Sequence, residues 1–382
     1  MKHKLIRITT VPGSLRTLLK GQHRFMSNHF EVIGVSSNGP KLGDVRENEG
    51  IKTHAVEMTR TITPFKDLKA TYKLYKFFKK EQPFIVHTHT PKAGTVGMLA
   101  AKLAGVPNRL HTIAGLPLLE STGKKRVLLD TVEKITYSCA THILPNSFGL
   151  EKIITDNNYT KPEKLFVIGN GSSNGIDTTH YDSSLVSEEK KNQLKQELGI
   201  SNDDIVFIFI GRLVTDKGIN ELVNAFDNLS KKERNTKLIL VGPRERHLDP
   251  LLPETEALIL ENKNILTVGI QKDIRPYVAI SHVLTFPSYR EGFPNVLLQC
   301  SCMELPCIVS NINGCNEVIN HQVNGLIVPV KNQIELEKAM RFMIDFPNKR
   351  IAMTKHTRSR IVKNYEQKFV WQELLNFYNS LK

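Results

Sequence analysis

Apolar positions along the chain follow two rhythms that alternate. Short apolar runs read as buried strands, and between them lie longer segments in which apolar residues recur at helical spacing. In the first half the runs predict strands at Leu5–Thr9, Glu31–Ser36, Phe84–His89, Arg109–Thr112, His142–Leu144 and Leu165–Ile168. Helices are predicted between them at Pro64–Lys80, Gly94–Leu103, Lys125–Ser138 and Gly149–Thr155. The second half repeats the pattern, with strands at Ile205–Ile210, Lys237–Val241, Ile265–Val268, Val283–Phe286, Cys307–Val309 and Gly325–Val328. Its helices fall at Gly218–Leu229, Leu251–Leu260, Ile274–Ile280, Pro294–Met303 and Gln333–Ile344. Short strands alternating with helices predict parallel sheets covered on both faces. The pattern occurs twice, so the expected class is α/β: two doubly wound, Rossmann-like parallel-sheet domains facing a cleft, with ligands at the carboxyl ends of the strands.

The segment GNGSSNGIDTTHYDSS (169–184) has no periodicity and is rich in turn residues, which places the domain boundary there. The expected division is 1–176, a first sheet domain, and 177–365, a second. A terminal helix, 366–382, follows. Phe369, Leu374, Phe377, Tyr378 and Leu381 give that helix an apolar face, expected to pack back toward the first domain.

Composition narrows the function classes. The 382 residues are 40% hydrophobic and 24% charged, which excludes general disorder, and no stretch approaches the ~20 apolar residues of a membrane span. The basic start, MKHKLIRITTVPGSL, lacks the apolar core of a signal peptide and reads as a first strand. Five cysteines, an odd number in a long chain, argue for a reducing compartment and against a disulfide framework. The formal charge of +14 is uneven: residues 1–180 hold 26 Lys and Arg against 14 Asp and Glu, a net of +12. A basic first half points to an anionic partner, whether nucleic acid, bilayer or phosphorylated ligand, or else to a solvated basic face.

The clearest chemical signal is FIFIGRLVTDKGINEL (207–222), a buried strand that runs through Gly211, Arg212, Lys217 and Gly218 into a helix. The glycines let the backbone turn tightly and come close, and a helix amino-terminus already favours anions. Two fixed cations at that point suit a diphosphate. A second loop, FPSYREGFPNVLLQC (286–300), passes Glu291, Gly292, Phe293 and Asn295 before entering a helix that carries Gln299. The N–H groups of Gly292 and Phe293 can also face phosphate, whereas a carboxylate beside an anion site is suited to hydroxyl groups. Cations for phosphate and a carboxylate for hydroxyls together describe a nucleotide sugar.

GRLVTDKG and PSYREGFPNVLLQC together resemble the donor half of retaining glycosyltransferases of family 4, which have the two-domain GT-B fold. The resemblance extends through NGID (174–177), LVG (240–242) and NGCNEVINHQVNGLIVP (313–329), and in the first half through TTVPGSLRTLLKGQ (9–22), VHTHTPKAG (86–94), HTIAGLP (111–117) and LPNS (144–147). Essentially the whole chain is similar to the capsule- and O-antigen-type branch. By this resemblance Arg212 and Lys217 match the diphosphate clamp, Glu291 matches the first Glu of the Glu-x7-Glu motif, and His111 matches the His facing the reacting sugar. Gln299 stands where the family has its second, ribose-binding Glu. The resemblance implies transfer of a hexose or N-acetylhexosamine-type sugar from a UDP donor to an undecaprenyl-diphosphate-linked saccharide in surface polysaccharide biosynthesis, with retention of configuration. It implies a cytoplasmic enzyme, peripheral on the inner membrane's cytoplasmic face, that uses no cofactor. No D-x-D element is present to hold a divalent metal on the phosphates, and none is expected.

Other residues are weighed more simply. Gly13, Lys20 and Gly21, with Arg16, are read either as a cleft wall near the diphosphate or as plain loop; His89, Thr90 and Lys92 are read as lining the cleft at a strand end. His87 and His89 are taken to point to opposite faces of their strand, poorly placed to share a metal. Cys300, Cys302 and Cys307 read as packing, and Ser147 as a helix cap. Two basic amphipathic stretches, one around Leu15, Leu18, Leu19 and Phe25, the other around Tyr72, Tyr75, Phe77 and Phe78 with Lys73 and Lys76, fit either core packing or an anionic membrane surface. The alternatives to a transferase are a sugar-nucleotide epimerase of similar architecture and a basic nucleic-acid-binding protein, the latter without the aromatic-lined groove or reading helix it would need.

Overall fold

The structure, a computed structural model, describes residues 2–116, 118, 121–233, 235–245, 247 and 249–382. The chain forms two compact units, Met1–Asn174 together with Lys368–Lys382, and Gly175–Gln367. The first is built on β1 (Lys4–Ile8), β2 (Glu31–Ser36), β3 (Lys52–Ala55), β4 (Ile85–Thr88), β5 (Asn108–Ile113) and β6 (His142–Pro145). All pair in parallel, in the order β3-β2-β1-β4-β5-β6. The second unit has β7 (Ile205–Ile210), β8 (Thr236–Val241), β9 (Ile265–Gly269), β10 (Val283–Phe286), β11 (Cys307–Ser310) and β12 (Gly325–Val328), again parallel, in the order β12-β11-β10-β7-β8-β9. Each order is that of a doubly wound sheet, with its reversal between the first and fourth strands.

Alternation along β1 splits the first unit's interior into two cores, because neighbouring residues of a strand face opposite sides. Ile6 and Ile8 pack with Val86, Leu74 and Phe78 on one side. Leu5 packs with Leu15, Ile85, Leu110 and Leu144 on the other, where Leu374, Leu375 and Tyr378 of the last helix complete the layer. In the second unit one continuous core covers both faces of β7, including Phe207, Phe209, Phe226 and Phe286. All five cysteines are buried free thiols.

The elements depart from expectation in two places. Leu165–Ile168 is not a strand of the sheet and touches β6 only by an isolated bridge between Ile143 and Leu165. The edge strand β3, KTHA, escaped prediction because it has no apolar run to detect: three of its four residues are polar and most are exposed. Charged, short edges of this kind resist pairing with other chains.

Buried histidines concentrate in the first unit. His87 and His89 share a face of β4 and its extension, with ring centroids 4.0 Å apart, because residues two apart on a strand point the same way. This corrects the expectation of opposite faces. Burial holds His23, His87 and His89 well below the ordinary imidazole value, and holds His111 at about 4; in the second unit His282 is at about 4. The unfolded chain therefore binds more protons than the folded one just below the ordinary pKa of about 6.5. Stability from these groups is complete above that value and is lost as pH falls toward and below 4, at up to about 1.4 kcal/mol per pH unit for each histidine. Trp371, the only tryptophan, lies in the first unit and reports on it. Its fluorescence-detected urea midpoint should fall markedly between about pH 7.5 and about pH 5. A midpoint that does not move would show that these imidazoles are not held neutral.

Candidate active site

In the second unit the sheet order reverses between β7 and β10, so the loops leaving their carboxyl ends lie side by side. The loop after β7 carries Gly211, Arg212 and Lys217; the loop after β10 carries Arg290, Glu291 and Gly292. Gly218, at φ 71°, joins Lys217 to the helix Ile219–Ser230. A Cβ there would strike the carbonyl of Pro287, so glycine is needed both for the left-handed backbone and for the closeness of the two loops. The result is a direct ion pair between the Lys217 ammonium and the Glu291 carboxylate, both largely buried at 16% and 14% exposure. Lys217 Nζ also sits 5.7 Å from the centre of the Phe286 ring.

Arg212 is more open, at 41% exposure, and bonds Glu245 Oε2 through Nη1 at 2.7 Å. Its second contact is Asp216, 3.7 Å away. Asp216 in turn pairs with Arg290 at 2.9 Å, and its carbonyl accepts the Tyr289 N–H at 2.9 Å, while its own N–H donates to Asp249 at 2.7 Å. Asp216 thus ties together the loops after β7, β8 and β10. Asn313 donates its amide to the Glu291 carbonyl and to that of Gly292 at 3.2 Å, steadying the acidic loop from the segment after β11. Sequence reasoning missed Asp216, Glu245, Arg290 and Asn313. Asp216 and Arg290 stood inside the quoted motifs, TDKG and SYREG, but pairing across 74 positions leaves no local signal.

Gly292 and Phe293 are buried at the start of the helix Asn295–Cys302, with the Phe293 ring 5.2 Å from that of Tyr365; Asn295 is exposed. Gln299 does not meet Glu291. Its Nε2 donates to the Tyr181 hydroxyl at 2.8 Å, and burial, reinforced by Asp273, pushes that phenol up to about 12.

In the first unit the reversal lies between β1 and β4. His111, on β5, is buried, with Nδ1 2.7 Å from the Thr88 hydroxyl. Gly94, in the helix Pro91–Ala104, passes so close that a Cβ would collide with the imidazole ring. His89, expected at a ligand-facing strand end, is interior: its Nε2 accepts from Arg7 Nε at 3.3 Å. Lys92 pairs with Asp67 at 2.5 Å. The Gly21 N–H donates to Glu49 at 2.8 Å and the Trp371 ring lies against it; the Lys20 carbonyl accepts from Asn174 at 3.0 Å. Gly13 is the second residue of the helix Pro12–Leu18 and its carbonyl accepts the Thr17 hydroxyl at 2.8 Å. Ser147 caps the helix Phe148–Asp156 by accepting from the Leu150 N–H at 3.1 Å. Pro117, the last residue of HTIAGLP, lies outside the described residues. Among the described residues no group of three or more His, Cys, Asp or Glu is arranged to hold a metal ion, and no helix is long and apolar enough to cross a membrane.

Comparison with known proteins gives the family. A family model described as glycosyl transferases group 1 matches residues 190–360, and one described as glycosyl transferase 4-like matches residues 15–147. The capsular polysaccharide biosynthesis glycosyltransferase CapM of Staphylococcus aureus is 32% identical over 380 residues, 99% of this chain and 97% of that protein. The UDP-Gal:alpha-D-GlcNAc-diphosphoundecaprenol alpha-1,3-galactosyltransferase of Escherichia coli is 29% identical over 377 residues, 95% of this chain and 94% of that one. Among solved structures, a glycosyltransferase from Rickettsia africae matches with a TM-score of 0.82 at 19% identity, covering 100% of this chain and 98% of that one. Anabaena HepE, solved with UDP, matches at 0.81 and 17% identity over 100% of both chains. With two family models on its two halves and a close relative along nearly its full length, the chain belongs to the family-4 glycosyltransferases and is a glycosyltransferase of GT-B fold.

Proposed function

We propose that the protein moves a hexose or N-acetylhexosamine-type sugar from a UDP-sugar to a saccharide carried on undecaprenyl diphosphate, with retention of configuration, in surface polysaccharide synthesis. The observation that carries this reading is the Lys217–Glu291 pair at the β7/β10 reversal, where a cation and a carboxylate stand together at the one point of the sheet built to receive a ligand. The Escherichia coli relative, named for UDP-Gal and a diphosphoundecaprenol acceptor, supports the substrate classes.

As the glycosidic bond to the diphosphate breaks, positive charge grows on the anomeric carbon and negative charge on the leaving group. Lys217 and Arg212 stabilise the departing diphosphate by electrostatics set in place before the reaction. Glu291, freed from Lys217 as the phosphate takes its place, accepts hydrogen bonds from donor-sugar hydroxyls. Gln299, whose Nε2 donates one hydrogen bond to Tyr181, offers its carbonyl oxygen to a ribose hydroxyl. His111, with its pKa at about 4, acts near neutrality as an uncharged imidazole that hydrogen-bonds a sugar hydroxyl. Lys217→Ala and Glu291→Ala should each lower kcat/KM by about 10²-fold or more, on the order of 2.7 kcal/mol, in a radiolabelled UDP-sugar assay with lipid acceptor. Near wild-type rates in either variant would remove the site assignment. Turnover of the sugar nucleotide without any acceptor would point instead to an epimerase.

Attachment to an anionic bilayer belongs to the same proposal, because the acceptor is a lipid. Of the two stretches named from sequence, the first is core: Leu15 and Leu19 are fully buried. In the second, Phe78 is buried and Tyr75 and Phe77 pack against the core, but the helix Pro64–Glu81 turns a different apolar stripe outward. Phe65 is 91%, Leu68 69% and Tyr72 55% exposed, beside exposed Lys66, Lys69, Lys73 and Lys76. Such a stripe suits a negatively charged lipid surface, each lysine contributing about 1 kcal/mol. Flotation with phosphatidylglycerol vesicles should be lost in Phe65→Ser/Leu68→Ser and in Lys73→Glu/Lys76→Glu, with folding intact by circular dichroism. Undiminished flotation in both would clear this helix of the role.

A further inference from the structure

Arg7 lies in mid-strand on β1, wholly buried. Its Nε donates to His89 Nε2 at 3.3 Å and its Nη2 to the side-chain carbonyl of Gln22, whereas Nη1 meets no acceptor among the described residues. A guanidinium is always protonated, so a full positive charge sits in the interior. Among the described residues no carboxylate bonds it. Glu49 and Tyr378 act on it only over distance: Glu49 accepts the N–H groups of Gly21 and Arg24 at 2.8 and 3.1 Å, and the Tyr378 hydroxyl bonds His87 Nδ1 at 2.6 Å.

His89 adds a second donor. Because Nε2 accepts from Arg7, the proton of the neutral ring is on Nδ1, and that N–H also lacks a partner among the described residues. Both residues line a cavity of about 20 Å³ shared with His87, Thr112, Asn146 and Ser173, room for one body the size of a water or a halide. A water there could receive two hydrogen bonds and donate to the Asn146 carbonyl oxygen, itself unpartnered among the described residues, but would leave the charge of Arg7 uncompensated. An anion there has a fixed cation and an unpartnered N–H in its lining. The Asn146 amide, now donating to Ser173 Oγ at 3.4 Å, can reverse, offer its NH₂ to the cavity and take the serine proton in exchange.

We propose that this cavity is a binding site for a single halide-sized anion, chloride under ordinary conditions, which neutralises Arg7 and links β1, the end of β4 and the loop after β6.

Crystals grown in bromide, measured at the bromine edge, should show an anomalous peak within hydrogen-bonding reach of Arg7 Nη1 and His89 Nδ1. In solution, the unfolding midpoint of the full chain should rise with chloride at constant ionic strength, on the order of 3 °C per tenfold increase above the dissociation constant, and stay flat in gluconate. Asn146→Asp, which supplies a built-in anion, should abolish the chloride dependence and raise the midpoint in gluconate. Arg7→Met should abolish the dependence too, and Asn146→Asp serves alone if that variant does not fold. Equal wild-type midpoints in chloride and gluconate, a cavity density without anomalous signal, or a bromide peak without any chloride effect in solution would each overturn the proposal.

Discussion

Two neighbouring parallel strands that send their chains to opposite faces of one sheet set the terms for the second unit. Between β7 and β10 no crossover helix covers the sheet edge, so backbone from both strands ends in the open beside its neighbour. Close approach then follows from a missing side chain, since Gly218 rests against the Pro287 carbonyl where any Cβ would collide. Lys217 and Glu291 are consequences of that contact. Their pair is a poor investment in stability, because taking two charges out of water offsets most of their attraction. Its value lies in holding a cation and an acceptor where both can be exchanged for ligand groups.

The neighbouring charges repeat the arrangement. Lys217 is matched by Glu291, Arg212 by Glu245, and Arg290 by Asp216, so each cation near the reversal already has an anionic partner. On the proposed reaction, a diphosphate replaces part of this set without leaving a buried cation exposed to repulsion, and Glu291 is released only when Lys217 has something better to hold. Asp216 differs from the others because it bonds three loops at once through side chain, carbonyl and amide. It holds the clamp in shape, and its partners come from far along the chain.

That distance marks the boundary of what the sequence discloses. Buried strands such as Ile205–Ile210, Val283–Phe286 and Gly325–Val328 were legible to the residue, because a strand covered on both faces is apolar along nearly all its length. The edge strand β3 was not, because an edge is under no such demand. Lys217 and Glu291 were legible because glycine and proline punctuation fixes their loops. The partners that restrain them were not: Asp216 and Asn313 stood inside quoted motifs and Glu245 in a polar loop, but the pairing of each with a residue far along the chain appears only when the sheet brings them together. His89 shows the converse: a polar residue at a strand end looked accessible, yet the guanidinium of Arg7 draws it inward.

The helix Pro64–Glu81 shows how composition can mislead where geometry does not. Its aromatic residues all sit among lysines, so Phe65 and Phe78 have similar neighbourhoods in the sequence. At about 100° per residue, however, Ala70, Leu74 and Phe78 fall on one side of the helix, and Phe65, Leu68 and Tyr72 fall on the other. The first set is buried in the core and the second is exposed. A helix with a single apolar stripe needs only its own domain; this one has two, and the outer stripe lies among lysines with Lys76 Nζ 4.7 Å from the Tyr72 ring. Burial of the inner stripe accounts for the fold, and the outer one, Phe65, Leu68 and Tyr72, contributes nothing to that core, which is why the two must be read separately.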